Sequence, residues 1–362
     1  MPLSDARELV MTYGWNTTAY QILNPGLAHW YAAGDRAVVG YVRRGDVLLV
    51  AGAPVCALDS LRAVAFEFEE FARTQGCRVC YVCAADRLRD LLADSNRHAA
   101  VVIGAQPVWD PRRWSAMVTG NRALRAQLNR ARNKGVTIES IPPAAGRHNA
   151  QLQRVLAAWL ATRALPPLHF LVEPHTLAGA VADRILLIAR RAGAIVAFLV
   201  ASPVPARNGY LIEQVARAPH APNGTSELLI DAAMRRFAAD GRAYVTLGLV
   251  ALSTNADPLG ARNPLWLRAL ITFARAHANR FYNFRGLERF RHKLMPERWE
   301  TIYAISAERR FSIGTLYAMG AAFSGIAPWR AVARGAWRAL VHEVRSLRRR
   351  RSLRVDRTVR TA

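Results

Sequence analysis

With 362 residues, the chain can bury a full hydrophobic core, and its length suits two domains better than one. A hydrophobic content of 52% excludes a disordered chain, and long apolar runs of the polytopic membrane kind are missing. The net charge of +24 speaks for polyanionic partners, either nucleic acid or an anionic bilayer surface, and says little about fold.

Residues 1–15 carry Asp5 and Glu8 and lack an apolar core segment, so a secretory signal is not expected. Strands are predicted over Ala37–Tyr41 and Val47–Ala51, joined by the polar turn 43–46. Ser60 then suits the N-cap of a helix with apolar positions Leu61, Val64, Phe68 and Phe71, which Gly76 ends. At the next strand, Arg78–Cys83, three of the four cysteines fall as Cys77-x-x-Cys80-x-x-Cys83, the first just before the strand. In a strand Cys80 would face away from Cys77 and Cys83, so buried thiols in a reducing compartment are expected in place of a metal site.

A basic segment follows over 121–135. It reads as a helix, with Leu124 and Leu128 four apart and Gly135 as its stop. Arg122, Arg125, Arg130, Arg132 and Lys134 lie on it without a single acid. A solvated basic face is the plain alternative, but an exposed helix ordinarily mixes signs, so contact with a polyanion is favoured.

The order of the first half then returns. A hairpin over Ala194–Ala201 and Gly209–Ala216 precedes a helix from Thr225 carrying Leu228, Leu229, Ala232 and Phe237. Gly241 ends that helix, and a strand is predicted over Ala243–Val250. Both the caps (225 − 60) and the stops (241 − 76) are 165 residues apart. Either two ordinary ββαβ runs coincide, or the chain holds two domains of one mixed-sheet type. The α/β class expected here is of that α+β, mixed-sheet kind.

Phe311–Pro328 has no charge but is diluted by Gly, Ser and Thr, which is marginal for spanning a bilayer. From Arg330 to Arg360 there are eleven Arg against Glu343 and Asp356, with Trp329, Val332, Trp337 and Leu340 at helical spacing. Two readings of this amphipathic basic tail stand level: a helix lying on anionic lipid, or one packed by its Trp face on its own domain.

Triad, P-loop, HExxH and dinucleotide signatures are missing, and the nine His are scattered. What remains is the helix start Pro222-Asn223-Gly224-Thr225, where free N–H groups could receive an anion or a carbonyl oxygen. A plain N-cap is the commoner use of such a turn.

Three stretches carry a resemblance: Pro222–Glu227, Val245–Ser253, and Phe281–Leu294 with the following Trp299-Glu300. Together with Tyr13-Gly14 and Gly52-Ala53-Pro54 they resemble the C-terminal catalytic domain of the phosphatidylglycerol lysyltransferases, across about Tyr13–Ile305. The resemblance implies two tandem Gcn5-related acetyltransferase-like domains, 1–118 and 136–308, joined by the basic helix within 119–135 and followed by the tail 309–362. The R/Q-x-x-G-x-G coenzyme A signature is missing, and no cofactor is expected besides the co-substrate aminoacyl-tRNA.

The implied reaction moves an amino acid from aminoacyl-tRNA to phosphatidylglycerol or a related anionic lipid, at the inner face of the cytoplasmic membrane. Glu227 and Lys293 are the expected catalytic pair, with Glu227 binding the ammonium of the amino acid. Glu213, Asn223, Gly224, Ser253, Asn283, Arg289 and Arg291 are expected around the substrate, with an internal ion pair the favoured role for Glu213. Lys293, Arg291 and Arg289 would neutralise phosphate, and the five cations of 121–135 would hold the tRNA body. Three positions depart from the family pattern: Leu249 and Ala251, where the family has Met and Pro, and Ile302, which replaces an Arg. Two rivals remain: a transferase of this fold with another donor such as a thioester, and a non-catalytic protein that binds RNA or membrane.

Overall fold

A computed structural model of the chain describes residues 3–34, 36–162, 170–171, 176–177, 183–256, 263–277 and 284–324. The first half runs α1 (Leu3–Tyr13), β1 (Ala28–Tyr31), β2 (Val38–Arg44), β3 (Val47–Ala51), α2 (Leu61–Thr74), β4 (Arg78–Ala84), α3 (Asp86–Leu92) and β5 (Ala99–Trp109). Two helices, α4 (Trp114–Gly120) and α5 (Arg122–Asn133), lead into β6 (Val136–Ile141), α6 (Pro143–His148) and α7 (Ala150–Ala161). There follow β7 (Ile185–Arg191), β8 (Ala194–Val204), β9 (Gly209–Arg217), α8 (Thr225–Ala239), β10 (Tyr244–Thr246) and β11 (Val250–Ala251). The described chain closes with α9 (Leu265–His277), α10 (Phe284–Lys293), β12 (Arg298–Ser306) and α11 (Ile313–Ser324).

The fold is mixed α/β on one sheet of order β1-β2-β3-β4-β12-β5-β10-β9-β8-β7-β6, with β11 paired to β5 off that path. The parallel neighbours are β3 with β4 and β9 with β10; the other pairs are antiparallel. Each parallel pair is bridged by one helix, α2 or α8, and preceded by a hairpin strand, so the repeated ββαβ order is realised in both halves. The sheet also crosses between the halves. β12, from the end of the chain, lies between β4 and β5 and pairs Arg298–Ser306 with residues 108–99.

Alternating side chains give the sheet two covered faces. In the first half, Val42, Leu49 and Val82 meet α1, α9 and α11 through Val10, Leu267 and Met319. The opposite face, with Val39, Leu48 and Tyr81, is covered by α2 and α3 through Phe68 and Leu88. In the second half, α4, α5 and α8 cover Leu187, Leu199 and Val245, while α7 covers Ile188 and Phe198. Completely buried Phe68 and Phe237 each contribute roughly 1.5–3 kcal/mol of apolar burial.

Where the halves meet, a polar cluster stands beside the small apolar core of Val108, Val204 and Leu211. Glu300 on β12 accepts from Arg207 at 2.6 and 2.8 Å and from Gln106 of β5 at 3.0 Å. The Tyr244 hydroxyl of β10 lies 3.3 Å from the same carboxylate, and Thr17 donates to Gln106 at 3.1 Å. Arg207 stacks its guanidinium on the Tyr244 ring at 3.7 Å. Five separate segments thus share one buried set of hydrogen bonds, which fixes their relative register.

Four expectations are corrected. Ser60 and Thr225 do not cap with their side chains: Ser60 bonds Asp59, while Gly224 is the N-cap of α8 and Thr225 its first helical residue. The strand expected over 243–250 breaks after Thr246 because its backbone finds other partners. Thr246 Oγ1 accepts from the Gly248 N–H, and Arg291 takes the carbonyls of Leu247 and Gly248. Cys83 sits at φ +63°, which breaks the alternation and turns it into the core of Cys80, away from Cys77. Burial pushes the Cys56 and Cys83 thiols up to about 11 and about 12, and Cys80 higher still, so none of the three is a ready thiolate near neutral pH. The amphipathic basic stretch from residue 325 onward lies outside the described residues. The start of the charge-free run forms α11, whose Ala318, Met319 and Ala322 are buried in the core of the first half. Among the described residues, no helix is long and apolar enough to cross a membrane.

Candidate functional site

The second half gathers its candidate groups where the start of α8 meets the end of α10. The turn before α8 is held by Thr225, whose N–H and hydroxyl both donate to the Pro222 carbonyl, at 3.2 and 2.7 Å. Gly224, at φ +93°, lies so close to α5 that a Cβ would stand 2.1 Å from the Gln127 carbonyl oxygen. Gly224→Ala is therefore expected to destabilise the protein by more than about 2 kcal/mol, from a left-handed residue and a backbone clash together. Gly241→Ala, also left-handed but with open space around the new Cβ, should cost only about 1 kcal/mol. Urea unfolding of both variants checks the difference, and equal losses would remove the close approach to α5 as the reason for glycine at 224.

Glu227 lies in the first turn of α8 and is buried, 8% exposed. The positive end of the helix dipole favours a carboxylate there. Lys293, the last residue of α10, donates from Nζ to Glu227 Oε1 at 2.6 Å. A cation at a helix C-terminus is stabilised by the same dipole with opposite sign, so both partners of this pair sit at the helix ends that suit them. The side chain of Lys293 keeps 32% of its exposure, so the pair is reachable from solvent.

The end of α10 is pinned from three sides. Trp109 of β5 donates to the Leu294 carbonyl at 2.8 Å, and Asn121, the N-cap of α5, reaches the Lys293 carbonyl at 3.4 Å. Arg291 is buried, and its guanidinium donates to Gly248 O at 2.9 Å and Leu247 O at 2.5 Å. Arg291, expected on phosphate, thus holds the broken strand against α10, and its role is positioning. Ser253 is engaged similarly: its hydroxyl donates to Glu288 Oε1 at 2.6 Å, which Asn255 also reaches at 2.8 Å. Burial works to raise the Glu288 carboxyl, but the hydrogen bonds from Ser253 and Thr254 prevail and hold it below its ordinary value.

The other expected residues divide. Both carboxylate oxygens of Glu213 are taken by buried Arg184, at 2.9 and 3.1 Å, the ion-pair role that the sequence favoured. Asn223 is exposed and meets Arg217 at 3.5 Å, Arg289 is exposed, and Asn283 lies outside the described residues. On α5, Leu124, Leu128 and Ala131 face the core while Arg122, Arg130 and Lys134 are exposed. Arg125 donates back to the Thr119 carbonyl. Arg132 is tied to Asp231 of α8 at 3.1 Å.

Sequence reasoning missed Asp231. It is 1% exposed and accepts from Trp114, Arg132 and Arg235, so it fastens α5 to α8. Its one signal was a lone acid four residues before Arg235 in an otherwise apolar stretch of helix. The site therefore joins a buried carboxylate, a half-buried ammonium and a basic helix within one rigid frame.

A profile of the phosphatidylglycerol lysyltransferase C-terminal family matches residues 7–306. A phosphatidylglycerol lysyltransferase of Staphylococcus haemolyticus is 21% identical over 304 residues, covering 84% of this chain and 35% of that protein. The chain thus spans about a third of the length of the curated relatives it matches. Among solved structures, the C-terminal domain of a protein described as a lysylphosphatidylglycerol synthetase from Agrobacterium fabrum superposes with a TM-score of 0.74 at 21% identity, covering 89% of this chain and 97% of that one. L-PGS from Bacillus licheniformis gives 0.72 at 20% identity, with 88% and 95% covered. These likenesses to solved structures establish the fold.

Proposed function

This chain belongs to the phosphatidylglycerol lysyltransferase C-terminal family, and on that premise we propose that it transfers an amino acid from aminoacyl-tRNA to phosphatidylglycerol or a related anionic lipid at a membrane surface. The observation that carries this reading is the Glu227–Lys293 pair at the start of α8. Lys293 places an ammonium on Glu227, the same group that the amino acid of the donor would present there.

An aminoacyl ester is already activated, so the protein has to align it with a lipid hydroxyl and stabilise the oxyanion. The hydroxyl oxygen attacks the ester carbonyl, a new ester bond forms, and the bond to the terminal ribose of the tRNA breaks. The hydroxyl proton ends on the ribose oxygen, so charge and atoms balance without a cofactor. In this reading the donor ammonium displaces Lys293 from Glu227, and the freed Lys293 neutralises a phosphate or the oxyanion. Arg122, Arg130 and Lys134 hold the tRNA backbone through sequence-independent phosphate contacts.

Purified protein, lysyl-tRNA and phosphatidylglycerol vesicles should yield lysyl-phosphatidylglycerol by mass spectrometry, and ribonuclease treatment of the donor should abolish it. Product that survives ribonuclease would instead favour a thioester or other donor. Reversing Arg122 and Arg130 to Glu removes two phosphate contacts and should weaken tRNA binding by roughly tenfold or more in moderate salt. Because both side chains are exposed, the unfolding midpoint should not move. Unchanged tRNA affinity in that variant would take α5 out of donor binding.

A further inference from the structure

Eight large apolar side chains stand exposed among the described residues, and six of them lie on three helices: Leu3 on α1, Leu265, Leu270 and Phe273 on α9, and Ile313 and Tyr317 on α11. All three helices cover the same face of the first half's sheet. Scattered exposed leucines need no explanation, but a cluster confined to one face does. On α9, Leu267 is buried in the core while Leu265, Ala269 and Phe273 recur at i, i+4 and i+8 on the outside. Leu265 is 79% exposed and Ile313 70%. A helix apolar on both faces suits neither plain core packing nor free solvent.

On α9 and α11 the charges have one sign, while α1 carries Asp5 and Glu8 beside Arg7. Neither α9 nor α11 contains an acid. Arg268 on α9 and Arg309 and Arg310 just before α11 are exposed, and among the described residues no carboxylate pairs with any of the three. Apolar side chains beside unpaired Arg match the chemistry of an anionic bilayer interface, where the apolar groups reach the acyl boundary and Arg meets phosphate. A second copy of this chain would bring the same cations of α9 and the α11 approach face to face, which disfavours it as the occupant.

We propose that the face formed by α1, α9 and α11 docks on an anionic phospholipid bilayer and so sets how the first half sits on the membrane. The inference deepens the lipid-acceptor reading given above and takes its biological meaning from it.

The test is flotation of the full chain with vesicles of phosphatidylglycerol and phosphatidylcholine, for the wild type and the Leu265→Glu/Ile313→Glu double variant. The wild type should float with the anionic vesicles, and the variant should bind them at least about tenfold more weakly, because two apolar anchors become anions. Both positions are exposed, so the unfolding midpoint should be unchanged. The same variant should still aminoacylate phosphatidylglycerol dispersed in detergent, whereas Glu227→Ala should float normally and transfer at least about 30-fold less efficiently. Vesicle binding by the double variant within twofold of wild type overturns the proposal. So does a wild-type dimer in light scattering that the variant breaks into monomers, since a second copy would then cover the face. Wild-type protein that floats but never transfers an amino acid would refute the proposed function and leave the docking face standing.

Discussion

Replacing Glu227 with Ala should lower kcat/KM for aminoacyl transfer by roughly 30-fold or more, the cost of truncating one partner of a largely buried charge pair. The fold should survive it. Lys293 keeps a third of its side-chain exposure, 32%, so its ammonium can be hydrated once the carboxylate is gone, and α10 stays anchored through Trp109 and Asn121. Glu227→Gln separates two contributions. It keeps an acceptor for Lys293 but removes the charge that an incoming ammonium would need, so activity should fall nearly as far. Full activity in either variant, with normal expression and an unchanged unfolding midpoint, would remove Glu227 from the substrate site.

The second large effect is on stability. Glu300→Ala should cost about 3–5 kcal/mol in urea unfolding, because Arg207 would be left charged, buried and without its carboxylate. The side chains of Arg207 and Glu300 are only 12% and 18% exposed, so water cannot take over the lost contacts. The same carboxylate gives the protein a pH dependence of definite sign. Burial by itself would raise the Glu300 carboxyl, but the hydrogen bonds and charge of Arg207, with Gln106 and Arg298, hold it down from the ordinary 4.5 to about 2. A carboxyl depressed in the folded state adds stability that is complete above the unfolded value, and that stability is lost as pH falls towards the folded one. Between pH 4.5 and 2, acidification should therefore remove up to roughly 3 kcal/mol through this group. The measurable form is the stability difference between wild type and Glu300→Gln, which should be largest near neutral pH and shrink as pH approaches 2. A difference that stays constant over that range would assign the acid sensitivity to other carboxylates.

Gly224, Glu227 and Lys293 were all legible in the chain, because each is marked by a local motif, yet nothing local said that Lys293 would rest on Glu227. They are 66 residues apart, and only the packing of the end of α10 against β5 and α5 brings them to contact. The same holds for Arg291. As a cation in a basic motif it suggests phosphate, but burial forces it to satisfy the backbone carbonyls that the break after Thr246 leaves open. Asp231 left almost no trace in sequence, and Glu300 stood out only beside Trp299 in the resemblance, since the partners of both come from other elements.

By itself the sequence determined what depends on near neighbours: the ββαβ order of each half, the amphipathic basic α5 with its inward Leu124 and Leu128, and a surplus of positive charge that asks for an anionic partner. Hydrophobic spacing and turn residues act over a few positions, so they can be read along the chain. Only the tertiary structure decided that β12 enters the sheet between β4 and β5, and which cations are spent on internal partners. It alone gathered the exposed apolar side chains of α1, α9 and α11 on one face. Those outcomes depend on which groups lose their water together, and that is settled by contacts between residues far apart in the chain.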